Sequence, residues 1–142
     1  MGHRILFTIL LGISLGSLTT SLILRCWSCG GLFNRCVHLW GRPAMTVALL
    51  LLLAALCVTI ALIMQMTLFC ADYLESDVRY NLTRFLILAV GVISFVMGLI
   101  YYTARMNPQW SYTFSVSAAV IATQVLVTQL ADFYVGYRQS LY

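Results

Sequence analysis

Four long runs, residues 5–24, 44–70, 85–104 and 110–131, contain no Asp, Glu, Lys or Arg, and the charged side chains collect between and beyond them. A hydrocarbon core about 30 Å thick is crossed by about 20 apolar residues of helix, and lipid offers no partner to an open backbone amide. Each run therefore predicts a membrane-spanning helix. Short connections leave sequential spans adjacent and antiparallel. The expected fold class is thus an all-α membrane protein, an antiparallel four-helix transmembrane bundle forming a single domain over residues 1–142. The second run opens just after Pro43, a residue suited to a first helical turn because it lacks an amide proton. At the usual rise per residue it is about 40 Å long, so it must tilt or project from the bilayer. The first run resembles a signal-peptide core, but it is longer than such cores, and no small-x-small cleavage site precedes the cysteines, so it is read as a span.

Composition closes off most alternatives. With 62% hydrophobic and 8% charged residues in 142, nothing remains for a soluble domain once four spans are counted. All eight basic residues are arginines, spread singly from Arg4 to Arg138, which gives nucleic acid no stripe to follow. The net charge of +4 points instead to lipid headgroups. Arg4, Arg79, Arg84 and Arg138 on one side balance Arg25, Arg35, Arg42 and Arg105 on the other, so the positive-inside rule does not choose an orientation.

Small residues mark candidate helix-packing faces. Gly12 and Gly16, followed by Thr20, stand four apart in the first span, and Ser94 and Gly98 stand four apart in the third. Such stripes allow close backbone approach, first to a neighbouring span of the same chain and second to another chain, including a second copy. In the fourth span Ser111, Ser115, Ala118 or Ala119, and Ala122 form a seam expected to face the third span. Further along, Gln124, Thr128 and Asp132 lie four apart and share a face, a polar stripe that fits either a transport path or anchoring at the interface. Gln65 is the one notable polar side chain of the second span.

The first loop is rich in cysteine. Cys26, Cys29, Cys36 and His38 have zinc-like spacing, but all four fall within one short segment. In an oxidising compartment a disulfide from Cys36 to Cys26 or Cys29 fits better; facing the cytosol, palmitoylation fits better. Asn81-Leu82-Thr83 is a formal glycosylation acceptor pressed against the third span. No paired carboxylates lie inside the membrane, no Ser-His-Asp set and no phosphate-cradling glycine loop occur, and both histidines lie outside the spans. Neither catalysis nor a cofactor or metal site is expected.

After the first span come Trp27, then Gly31-Leu32-Phe33 and Cys36, and the fourth span opens with Trp110-Ser111-Tyr112. This order resembles the claudin, peripheral myelin protein and calcium-channel gamma-subunit superfamily of four-span proteins, where a tryptophan precedes a Gly-Leu-Trp motif with a nearby cysteine. The first outer loop is shortened here, with no cysteine between Cys36 and the second span. The resemblance implies a plasma-membrane protein with both termini cytosolic, loops one and three outside, and Asn81 unmodified. The expected function is that of a non-enzymatic auxiliary or organising subunit of a channel, receptor or junctional complex, with integral membrane proteins as partners. A small transporter using Gln65, Gln124, Thr128 and Asp132 is the second expectation, and a structural subunit of a larger membrane enzyme assembly the third.

Overall fold

A computed structural model describes residues 2–24, 32–71, 73, 76–105 and 110–141. Its elements are α1 (Gly2–Ile23), a π-helical segment (Leu32–Cys36), a short α2 (Val37–Trp40), and the long helices α3 (Arg42–Cys70), α4 (Val78–Arg105) and α5 (Trp110–Ser140). Four of them, α1, α3, α4 and α5, are long and apolar enough to cross a membrane, which makes this an integral, multi-pass membrane protein by length and composition. They pack as one all-α bundle.

Helix ends follow local chemistry. Gly41 adopts φ +58°, a left-handed conformation that glycine takes without strain, and turns the chain from α2 into α3, whose first turn contains Pro43. The charge-free run of the third span starts at residue 85. The helix instead begins at Val78. Asp77 opens it, its carboxylate accepting the Arg79 amide at 3.0 Å while its carbonyl accepts the Asn81 amide at 3.2 Å. Likewise α5 continues past residue 131 to Ser140, with Arg138 in its last turn, where a cation complements the helix dipole. Charged residues delimit the apolar run, not the helix, because water satisfies them once the helix leaves the hydrocarbon.

Packing joins each long helix to two others. The largest interfaces are α3 with α4 and α1 with α5; α1 with α3 and α4 with α5 complete a ring. Arg4, Gln65, Arg84 and Ser140 all border one cavity, so both chain ends and the α3–α4 connection lie at the same end, as antiparallel order requires. Each helix turns inward a stripe with spacing of three and four. In α1 it is Phe7, Leu11, Ser14, Leu18 and Ser21. In α3 it runs Ala44, Val47, Leu51, Ala54, Val58, Ala61, Gln65 and Leu68. This 3.5-residue repeat is the signature of a left-handed bundle with knobs-into-holes packing.

Small residues let the helices close in. A Cβ at Gly91 would lie 2.7 Å from the Cβ of Cys57, and one at Gly98 would lie 3.3 Å from that of Leu50. Two apolar layers fill the interior. One, nearer the first loop, includes Leu18, Leu51, Phe95 and Tyr102. The other, nearer the chain ends, includes Phe7, Leu11, Val58, Leu88 and Val125.

Candidate functional site

The inward stripes turn polar near the chain ends, and there the bundle opens into a cavity of about 550 Å³. Arg4 extends the α1 stripe beyond Phe7, Gln65 and Leu68 end that of α3, Asn81 and Arg84 precede Leu88 in α4, and Gln129 and Asp132 follow Val125 in α5. These same positions sit at the limits of the charge-free runs. The cavity therefore lies where the hydrocarbon gives way to headgroups.

Arg84 and Gln65 fix one wall. The guanidinium donates through Nη1 to the Gln65 amide oxygen at 2.6 Å, a charge-assisted bond that holds the start of α4 against the end of α3. Asp132 attracts the Arg84 cation electrostatically. Tyr80 strengthens the same junction, its hydroxyl donating to the Met64 carbonyl at 2.7 Å and sharing a hydrogen bond with the Thr67 hydroxyl. Gln129 is 6% exposed, and among the described residues neither its amide oxygen nor its amide nitrogen has a hydrogen-bond partner. Arg84 Nε is buried and equally without a partner among the described residues. Phe7 lines the cavity and also belongs to the apolar layer with Leu11, Leu88 and Val125.

The polar stripe expected on the fourth span is divided by this geometry. Asp132 borders the cavity; Gln124 is exposed, and Thr128 turns its hydroxyl onto the Gln124 carbonyl at 2.7 Å. Strict steps of four advance a face by about 40° each, whereas the seam follows 3.5-residue spacing through Val125, Gln129 and Asp132. Gln65 was singled out by sequence. Asn81 stood out only as a glycosylation acceptor, and Arg4, Arg84 and Gln129 not as parts of a site, although extending the seam register reaches all four.

The helix-packing candidates also separate. Gly98 is buried between α4 and α3, as is Gly91, while Ser94 is half-buried. Ser115 donates to the Ser21 hydroxyl at 2.8 Å, and Ser14 donates to the Ala118 carbonyl at 2.9 Å, so the polar contacts of the fourth-span seam run to α1 and not to α4 as expected. The side chain of Ser111 lies outside the described residues. Gly12 and Gly16 are exposed, with nothing within 4 Å of where a Cβ would stand. Among the described residues they take no part in packing within the chain, where the first reading of that stripe had put them.

Around the first loop, Cys36 is buried and disulfide-bonded, whereas Cys57 and Cys70 are free thiols. Cys26, Trp27, Cys29 and Gly31 lie outside the described residues, as do the side chains of Leu32, Phe33 and Trp110. Tyr112 stacks on Tyr102 at 5.7 Å and accepts the Thr103 hydroxyl at 2.7 Å, tying α5 to α4. Among the described residues no three His, Cys, Asp or Glu side chains gather as a metal site. No protein-family model matches the chain, and no curated protein is significantly similar to it.

Proposed function

We propose that this chain is a non-enzymatic four-span protein that packs sideways against other membrane proteins, as an auxiliary or organising subunit of a channel, receptor or junctional complex. The observation that carries this reading is the outward face of α1. Gly12 and Gly16 are exposed there, together with Ile5, Ile9, Ile13 and Ile23. In lipid, where apolar surface alone drives no association, exposed small residues four apart on an apolar helix favour close contact with another helix. The resemblance to the claudin superfamily in residues 27–36 and 110–112 supports the same role, and with it a plasma-membrane location with cytosolic termini.

Crosslinking in the native membrane followed by purification in mild detergent tests the proposal. Wild-type protein should bring down a larger integral membrane partner, and Gly12→Leu with Gly16→Leu should lose it while the bundle itself stays folded. An unchanged partner yield from the double variant, or a lone monomer from the wild type, refutes the reading. A transport role has the polar cavity in its favour, while the apolar layer of Phe7, Leu11, Val58, Leu88 and Val125 next to it favours the auxiliary role. Asp132→Asn should accordingly change no flux in liposomes.

A further inference from the structure

We propose that the cavity at the chain-end face binds the oxyanionic head of an amphiphile, with Arg84 and Gln129 as the groups that grip it. The site is separate from the outward face of α1, so it can stand or fall independently of the association proposed above.

The first argument is an incomplete set of polar contacts. Gln129 is more than nine-tenths buried beside the cavity, and among the described residues its whole amide and Arg84 Nε have no hydrogen-bond partner. At the edge of a hydrocarbon layer, unpaired buried polar groups are strongly disfavoured, and since the described residues offer these two donors no acceptor, a bound ligand would supply one. The second argument is charge. Among the described lining residues, two guanidiniums, Arg4 and Arg84, face one carboxylate, Asp132, a surplus of one positive charge that matches a monoanion. Third, the cavity is lined by aromatic and aliphatic groups as well, including Phe7, Leu68, Phe85 and Phe133, which suit an attached apolar chain better than a bare hydrated ion. Fourth, the recess lies at headgroup depth, where an anionic lipid presents its phosphate already oriented.

One oxygen of the head would accept from Arg84 Nε and another from the Gln129 amide nitrogen. Arg84 Nη1 stays on Gln65, which keeps the guanidinium aimed while it binds. Asp132 limits affinity by repelling the anion, and its replacement should tighten binding.

Native mass spectrometry of the full chain in detergent, titrated with phosphatidylglycerol or phosphatidylcholine, reads the site directly. The wild type should retain one phosphatidylglycerol in preference to phosphatidylcholine. Gln129→Leu should weaken that binding by about tenfold or more, in line with losing a hydrogen bond to a charged partner. Gln129→Glu, which keeps the shape and adds a negative charge, should weaken it further, and Asp132→Asn should strengthen it. Thermal unfolding supplies a second readout: Gln129→Leu should melt higher than the wild type without lipid and lose the upward shift that phosphatidylglycerol gives the wild type. Millimolar inorganic phosphate should fail to displace the lipid. Displacement would identify a soluble oxyanion as the occupant and overturn the amphiphile. Equal retention of both lipids, or a Gln129→Leu variant that binds like wild type, overturns the site. So does a lipid-free Gln129→Leu variant that melts lower, which would mean that water already satisfies the amide.

Discussion

Gly91 provides the sharpest test of the packing. It faces α3 at the most extensive interface of the bundle, and a methyl group there would approach the Cys57 Cβ to 2.7 Å. Carbon atoms prefer separations of about 3.5–4.0 Å, and the Cys57 Cβ is fixed to its backbone, so α3 and α4 would have to part by roughly 1 Å. Overpacking of this kind costs about 1–3 kcal/mol. Alanine also has a helix propensity about 1 kcal/mol better than glycine in water, which partly offsets the clash and obscures a single measurement. Comparison with Gly12→Ala removes that term, because Gly12 gains the same propensity and meets nothing within 4 Å. Gly91→Ala should therefore be less stable than Gly12→Ala by about 1–3 kcal/mol. In a Cys57→Gly background, where the opposing Cβ is gone, the Gly91→Ala penalty should disappear. Reversible unfolding in mixed micelles with rising dodecyl sulfate measures all four proteins. Equal stability of Gly91→Ala and Gly12→Ala, or no rescue by Cys57→Gly, would refute the close approach of α3 and α4.

Two further outcomes can be checked alongside. Ser115→Ala removes the hydrogen bond to Ser21 but leaves the Ser21 hydroxyl donating to the Leu18 carbonyl at 2.8 Å, so the same micelle titration should show a loss of only about 0.6 kcal/mol, typical of interhelical bonds in membranes. Without reductant, a maleimide should label exposed Cys70 at the end of α3 and largely spare half-buried Cys57 mid-span, because the reactive thiolate requires water; equal rates, read by mass spectrometry, would contradict the placement of α3.

The spans were readable because the thickness of a bilayer imposes a length and forbids charge, and those two conditions mark the four runs without reference to any contact. Helix ends were less readable, since Val78 to Arg84 and the last turns of α5 are helical in the zone where charge is tolerated. Which face turns inward was harder still. In a water-soluble bundle the buried face is the apolar one, but lipid makes the outer face equally apolar. Exposed Ile5, Ile9 and Ile13 are more hydrophobic than Ser14 and Ser21, which are buried. Small residues were the remaining guide, and they serve both directions: Gly98 packs inside the chain, while Gly12 and Gly16 face out. The fourth-span seam illustrates a further limit. Connection length predicts α4 as a neighbour of α5, but closure of the ring adds α1, and it is α1 that takes the serine hydrogen bonds.

Register supplies what hydropathy withholds. Once Leu11, Ser14, Leu18 and Ser21 establish the inward line of α1, the same spacing carried backwards reaches Phe7 and Arg4. In α5, Ser115, Ala118, Ala122 and Val125 lead in the same way to Gln129 and Asp132, leaving Gln124 and Thr128 on other faces. The polar cavity is thus the bundle's own interior carried past its last apolar layer, and its composition follows from its depth. Residues that meet one another across a core must be apolar where no water enters, whereas at the interface the same inward positions can carry arginine, glutamine and aspartate. A polar face chosen by steps of four lies partly on the outside of the bundle; one chosen by alternating steps of three and four converges with its counterparts on the other three helices. That convergence brings Arg4, Gln65, Arg84 and Gln129 from four separate helices to one recess, although no motif in the sequence connects them.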